Sequence, residues 1–282
     1  MTIVEAIILG IVEGLTEYLP VSSTGHLVLA AALLGLDDPE TKNAVNAFLI
    51  VIQGGAILAV LGLYRKRVAQ MIAGLAGRNV VGRRLAVNLI VALLPAAVLG
   101  PLLNEAIETW LFHPVPVVAA LAAGGLVMIA LGPWQRRFFQ EADGGPDKQT
   151  FVDLEQLTWR QALLIGLMQC LAMWPGASRS MVTIVGGMLV GMRGRQAAEF
   201  SFLLGLPTLG GACVYRIGKT VAGGEANMFE TFSWMAIAAG MAAATISAAL
   251  AIKWFVNWLS RHGLAVFGWY RLVIAAVYAV FA

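Results

Sequence analysis

Apolar runs of about twenty residues recur along this chain, at Val45–Tyr64, Leu85–Leu103, Val115–Gly132, Ala197–Tyr215, Phe232–Ile252 and Leu264–Ala282. Each is long enough to cross a hydrocarbon core of about 30 Å as a helix. Two further apolar stretches, Thr2–Leu34 and Trp159–Val190, are broken in the middle by Pro, Gly and hydroxyl residues. A buried soluble core produces one such run, not six, so the pattern predicts an all-α polytopic membrane protein. Composition agrees. The chain is 59% hydrophobic and 12% charged, with a mean hydropathy of +0.80, against about 25% charged residues in a soluble domain. The start of the chain does not read as a signal peptide, because it has no basic segment and Glu5, Glu13 and Glu17 interrupt its apolar run. Cys170 and Cys213 both fall in apolar segments and read as buried, inert thiols. Nothing points to a nucleic-acid partner.

The chain also aligns with itself. At an offset of 156 residues Ala6 meets Ala162, Gly10 meets Gly166, Glu13 meets Gln169, Ser22 meets Ser178 and Gly35 meets Gly191, and Gly54-Gly55-Ala56 falls on Gly210-Gly211-Ala212. This predicts two repeats, each a re-entrant broken helix followed by three transmembrane helices. The first repeat covers 1–133, with the re-entrant segment at about 2–34 and spans at about 45–64, 85–103 and 115–132. A linker at 134–158, containing the acidic stretch Glu141–Glu155, is expected to be a solvated connector. The second repeat covers 159–282, with the re-entrant segment at about 159–190 and spans at about 197–215, 232–252 and 264–282.

Charge bias orients the scheme. Arg65, Lys66, Arg67, Arg78, Arg83 and Arg84 follow the first span, and short loops rich in Lys and Arg stay cytoplasmic. The loop Asn104–Pro114 carries Glu105 and Glu108 and no Lys or Arg, as an outside loop would. Arg136, Arg137, Arg193, Arg195, Lys253 and Arg261 then fall inside. With three spans per half, the second repeat is inverted relative to the first. The broken segments are therefore expected to enter from opposite faces and meet near the midplane, as in inverted repeats built around a central site.

Polar groups concentrate at the breaks. An ionisable residue within a membrane is costly and marks a functional site by default. Glu13 and Glu17 are four apart and share a helix face. That spacing suits a hard cation such as Mg²⁺ or Ca²⁺, or a general base; carboxylates reaching water from a helix end are the structural alternative. After Pro20, Ser22, Ser23 and Thr24 stand where a new helix would start, in the position of N-caps and of an anion site. Ser178, Ser180 and Thr183 repeat the device with Arg179 among them, whose fork of donors suits phosphate oxygens. Arg179 could equally pair with Glu13 or Glu17. Ser23 and His26 are three apart, a minimal nucleophile–base couple on one helix face, although a hydrogen-bonded structural histidine reads as well. Gln53, beside Gly54-Gly55, is either a packing contact or a residue supporting the site. Glu199 is expected to pair with Arg195, and Arg271 lies deep in the last span with no partner evident in the sequence.

At these residues the chain resembles the undecaprenyl-diphosphate phosphatase, or bacitracin-resistance, family. The resemblance rests on Glu13 and Glu17 as E-x-x-x-E, on Leu-Pro-Val-Ser-Ser-Thr-Gly-His from Leu19 to His26, on the P-G-x-S-R-S-x-x-T element from Pro175 to Thr183, and on Ala198–Leu204. It implies hydrolysis of a polyprenyl diphosphate lipid to the monophosphate and inorganic phosphate, recycling the carrier of cell-wall synthesis at the outer side of the bacterial inner membrane. It also implies a divalent cation. Membrane lipids and a second copy of the chain are the further partners expected. Carried over by position, Glu17, Ser23 and Arg179 look central. Glu13, Ser22, Thr24, His26, Ser178, Ser180 and Thr183 surround them.

The mechanism expected is in-line attack by Ser23 with Glu17 or His26 as base. Arg179 and the helix starts would hold the phosphates, with Gln53 alongside and the cation at Glu13 and Glu17. Attack by His26, or by a metal-bound water, remains open at this stage. A lipid transporter or flippase on the same inverted repeat is the main rival. A type-2 acid phosphatase is disfavoured because no His follows Ser178-Arg179 until His262.

Overall fold

A computed structural model describes residues 1–36, 38, 42–111, 113–134, 151–221 and 231–281. Most of the expected linker, with Arg136 and Arg137, lies outside the described residues, as do the side chains of Glu108 and Arg261. The described residues form helices, with no strand among them and an isolated bridge between Val152 and Met192. In order these are α1 Ile3–Thr16, α2 Ser23–Leu33, α3 Lys42–Leu63, α4 Arg65–Leu75, α5 Val80–Leu111, α6 Pro114–Ala130, α7 Trp159–Gln169 running into a 3₁₀ turn at Cys170–Met173, α8 Arg179–Leu189, α9 Gly194–Val221, α10 Trp234–His262 and α11 Ala265–Phe281. Among the described residues four helices are long and apolar enough to cross a membrane, at Asn43–Leu63, Val80–Ile107, Gly194–Tyr215 and Trp234–Leu259. The chain is a polytopic helical membrane protein. Helices α6 and α11, at 17 residues each, span about 25 Å at 1.5 Å per residue, the short end for a crossing.

Contacts divide the chain into two compact units. The first comprises Met1–Leu19, Ser23–Leu63 and Gly205–Lys253. Its core is Ala6, Leu9, Phe48, Ile52, Ala236 and Ala244, with Phe48 set edge-on to Phe232 at 6.1 Å. Small residues let the backbones touch, which is how helices associate where lipid removes the hydrophobic drive. A Cβ on Gly10 would collide with the Gly240 carbonyl, and one on Gly14 with Ser247 and the Ala244 carbonyl. Hydroxyls of α10 face both neighbours: Thr245 donates to the Gly55 carbonyl of α3 at 2.9 Å, and Ser247 Oγ lies 3.4 Å from the Gly10 carbonyl of α1.

The second unit comprises Pro20–Ser22, Tyr64–Leu204 and Trp254–Ala282. Here α5 packs on α7 and α6 on α11. Helix α4 has no counterpart among the expected elements, because its Arg65-Lys66-Arg67 opening reads as a cytoplasmic loop. Arg67 binds Glu155 at 2.8 Å and Glu199 at 2.9 Å. Glu199 therefore pairs with Arg67 rather than with the expected Arg195; the long arginine arm of another helix reaches it. The Glu155 hydrogen bond, with Glu199 beside it, raises the Arg67 guanidinium above its ordinary value. The linker's described end is anchored rather than simply solvated: Leu154 and Leu157 are buried, and Asn88 donates to the Leu157 carbonyl at 2.6 Å.

Local conformation recurs at the 156-residue spacing. Thr2 with Glu5 and Thr158 with Gln161 each form a capping box. This reciprocal pairing satisfies the orphan N–H groups of a helix start. Among the described residues, Ser22 and Ser178 are the non-glycine ones of positive φ, at 72° and 70°. Each precedes an 11-residue helix, Ser23–Leu33 and Arg179–Leu189, and Gly35 and Gly191 follow at φ 66° and 93°.

Candidate active site

The first cluster forms because α1 stops where the chain must turn back. Its final carboxylates are buried, with Glu13 0% and Glu17 7% exposed, and the Glu17 N–H still donates to the Glu13 carbonyl at 2.9 Å. The chain then turns through Pro20 and the positive-φ Ser22, and α2 opens on Ser23. That reversal brings the Ser23 hydroxyl to donate to Glu17 Oε2 at 2.6 Å in a buried setting. This is the length of a charge-assisted O–H···O⁻ bond. A hydroxyl has one proton to give, and Ser23 gives it to Glu17. The expected Ser23–His26 register is present on α2, with His26 and Thr24 half-buried and Ser22 buried.

The second cluster caps α8. Ser178 holds a φ of 70°, and its side chain accepts from the Met181 N–H at 3.3 Å. Its hydroxyl also lies 3.1 Å from that of Ser180. A non-glycine residue held at positive φ costs of order 1–3 kcal/mol and marks sites where geometry matters more than local comfort. Arg179 begins the helix and donates through Nη1 to the Ser201 carbonyl at 2.8 Å. Thr183 is fully buried; its hydroxyl lies 2.6 Å from that of Ser201 and donates back to the Arg179 carbonyl at 2.8 Å. Ser201 thus aims Arg179 by its carbonyl and ties α8 to α9 by its side chain. It lies within the Ala198–Leu204 element, where no motif position singles out its hydroxyl. Gln53 is half-buried on α3.

Glu13 and Glu17 fit a divalent cation by the chemistry of their donors. They are hard oxygens one helical turn apart and buried. No group of three His, Cys, Asp or Glu residues able to hold a metal occurs among the described residues. Such a pair would hold Mg²⁺ or Ca²⁺ through its carboxylate oxygens and leave positions for waters and substrate phosphate oxygens.

The fold and these clusters define the class: a polytopic helical membrane protein carrying a buried hydroxyl–carboxylate couple and a helix start armed with arginine. The chain belongs to the bacitracin resistance protein BacA family, whose model matches residues 6–277. It is similar to the undecaprenyl-diphosphatase of Sorangium cellulosum, 45% identical over 97% of this chain and 84% of that protein. It is similar also to the undecaprenyl-diphosphatase of Nitrosomonas europaea, 41% identical over 96% and 92%, and to undecaprenyl-diphosphatase 2 of Rhodospirillum rubrum, 42% identical over 98% and 93%.

Proposed function

We propose that this chain is an integral membrane phosphatase that hydrolyses undecaprenyl diphosphate to undecaprenyl phosphate and inorganic phosphate. It thereby recycles the lipid carrier of peptidoglycan synthesis and gives bacitracin resistance. The observation that carries the chemistry is the 2.6 Å hydrogen bond from Ser23 to Glu17. It joins a nucleophile to the base that would take its proton, which a carrier that only moves lipid would not need.

Glu17 accepts the Ser23 proton as Oγ attacks the terminal phosphorus. The bond from that phosphorus to the bridging oxygen breaks, and undecaprenyl phosphate leaves. Glu17 hands that proton to the departing undecaprenyl phosphate; again a carboxylate, it takes a proton from the water that attacks the phosphoserine and returns it to Ser23 Oγ as the ester bond breaks. Arg179 and the first-turn N–H groups of α8 bind the phosphate oxygens and take up the charge of the transferring group. Ser22, Thr24, Ser178, Ser180, Thr183 and Gln53 complete the diphosphate-binding set, and His26 assists proton movement. A divalent cation held by Glu13 and Glu17 would neutralise diphosphate charge.

On this reading the protein sits in the bacterial inner membrane. The basic residues Arg65 to Arg67 and Arg78 to Arg84 are on the cytoplasmic side and the chemistry opens outward, in line with the charge bias of short loops. Two inverted halves, 1–133 and 159–282, form one membrane domain; the recurrence of capping boxes and positive-φ serines supports the repeat. Phosphate release by the purified protein from undecaprenyl diphosphate, lost in Ser23→Ala and Arg179→Ala, tests the reading. Lipid movement without phosphate release would replace it with the transporter.

A further inference from the structure

Arg271, on α11, is fully buried, and a guanidinium within a membrane bundle demands compensation. Its compensation is made of backbone. Nε donates to the Leu121 carbonyl at 3.2 Å. Nη1 donates to the Pro20 carbonyl at 3.4 Å and the Ala177 carbonyl at 3.1 Å. Nη2 donates to the Ala120 carbonyl at 3.0 Å and the Gly176 carbonyl at 2.7 Å. A guanidinium has five N–H donors, and each meets a carbonyl. No carboxylate is among these partners.

The carbonyls are not arbitrary. Gly176 and Ala177 directly precede the positive-φ Ser178, and Pro20 lies two residues before the positive-φ Ser22. Breaking a helix inside a membrane frees carbonyls that lipid cannot satisfy, and such breaks persist only where protein groups take over. Ala120 and Leu121, on α6, anchor the guanidinium from the other side.

We propose that Arg271 is a positioning residue: its five hydrogen bonds lock the two turns that present Ser22-Ser23 and Ser178-Arg179. It acts on the reaction through those backbones and not by touching phosphate. Lysine cannot replace it, since a single ammonium carries three donors and no planar fork. Gly124 offers a second handle, because a Cβ there would overlap the Arg271 guanidinium while leaving its charge in place.

The test compares the full chain in detergent as wild type, Arg271→Lys, Arg271→Met and Gly124→Ala, by two readouts. One is kcat and KM for phosphate release from undecaprenyl diphosphate, and this arm rests on the phosphatase reading. The other is backbone hydrogen exchange, which does not depend on activity. Arg271→Met should lower kcat by about 10²-fold, the scale of a 1 Å misplacement, with a much smaller change in KM. Arg271→Lys should recover only part of that loss, and Gly124→Ala should lose activity in the same direction. Exchange should accelerate in peptides covering 20–24 and 175–181 and stay unchanged in α3. If Arg271→Met does not fold, Gly124→Ala carries both readouts. Wild-type kcat in Arg271→Met or Arg271→Lys, a KM effect alone, or uniform acceleration through all helices would overturn the proposal. A wild type that released no phosphate would defeat the phosphatase reading and leave the exchange pattern to decide this one.

Discussion

Ser23 Oγ donates to Glu17 Oε2 at 2.6 Å, six residues apart in sequence and across a break between two helices. Neither helix could make this contact alone. It requires α1 to end at Thr16 and the chain to reverse through the positive-φ Ser22 before α2 begins.

Removing the base should cost more than removing a hydrogen bond. Glu17→Gln keeps the shape and an acceptor oxygen but cannot take the proton. The expected loss in kcat is about 10²–10⁴-fold, the range of general base catalysis, with a thermal midpoint near that of wild type. Phosphate-release kinetics beside a melting curve check it. Activity near wild type would move the base elsewhere, to His26 first.

Arg179→Lys preserves charge and removes the fork. Nη1 donates to the Ser201 carbonyl at 2.8 Å, which fixes the plane of the fork; in the proposed reaction that plane is presented to the phosphate, and an ammonium does not reproduce it. A fall of about 10²–10³-fold in kcat is expected, comparable to losing one donor to a developing oxyanion. Titrating Arg179→Lys and Arg179→Ala with substrate should place both well below wild type.

The seam between α1 and α10 should be intolerant of a single methyl group. A Cβ on Gly10 meets the Gly240 backbone, which cannot step aside as a flexible side chain would. Gly10→Ala is expected to destabilise by about 1–3 kcal/mol, the usual cost of overpacking. Detergent-solubilised thermal unfolding measures it.

The Arg67 network should matter little. Its side chain is 27% exposed, and its partners Glu155 and Glu199 are 51% and 19% exposed. Solvent screening limits such pairs to about 0–1 kcal/mol. Arg67→Ala should shift the thermal midpoint slightly, less so at high salt, and leave phosphate release unchanged.

The long apolar runs made α3, α5, α9 and α10 readable, because a membrane helix announces itself by length and hydropathy alone. The breaks were readable for the opposite reason: Glu13, Glu17 and Ser22 to Thr24 are costly where they stand. What periodicity could not supply was contact across a reversal. Counting three residues along a helix pairs Ser23 with His26, whereas the turn returns its hydroxyl to Glu17. Helix α4 escaped because its basic opening resembles a loop, and Ser201 because one hydroxyl in an apolar run carries no signal. Arg271 stood out as an anomaly, but its partners are backbone carbonyls, which leave no mark in a sequence.

In the proposed reaction Ser23 attacks phosphorus with Glu17 as its base. The most direct test of that attack is a rapid acid quench of the purified protein mixed with undecaprenyl diphosphate labelled at the terminal phosphate. Label should appear on a peptide containing Ser23 before free phosphate does, and be absent from Ser23→Ala. Free phosphate formed at the full single-turnover rate with no labelled peptide at any time would contradict it and make water the attacking group.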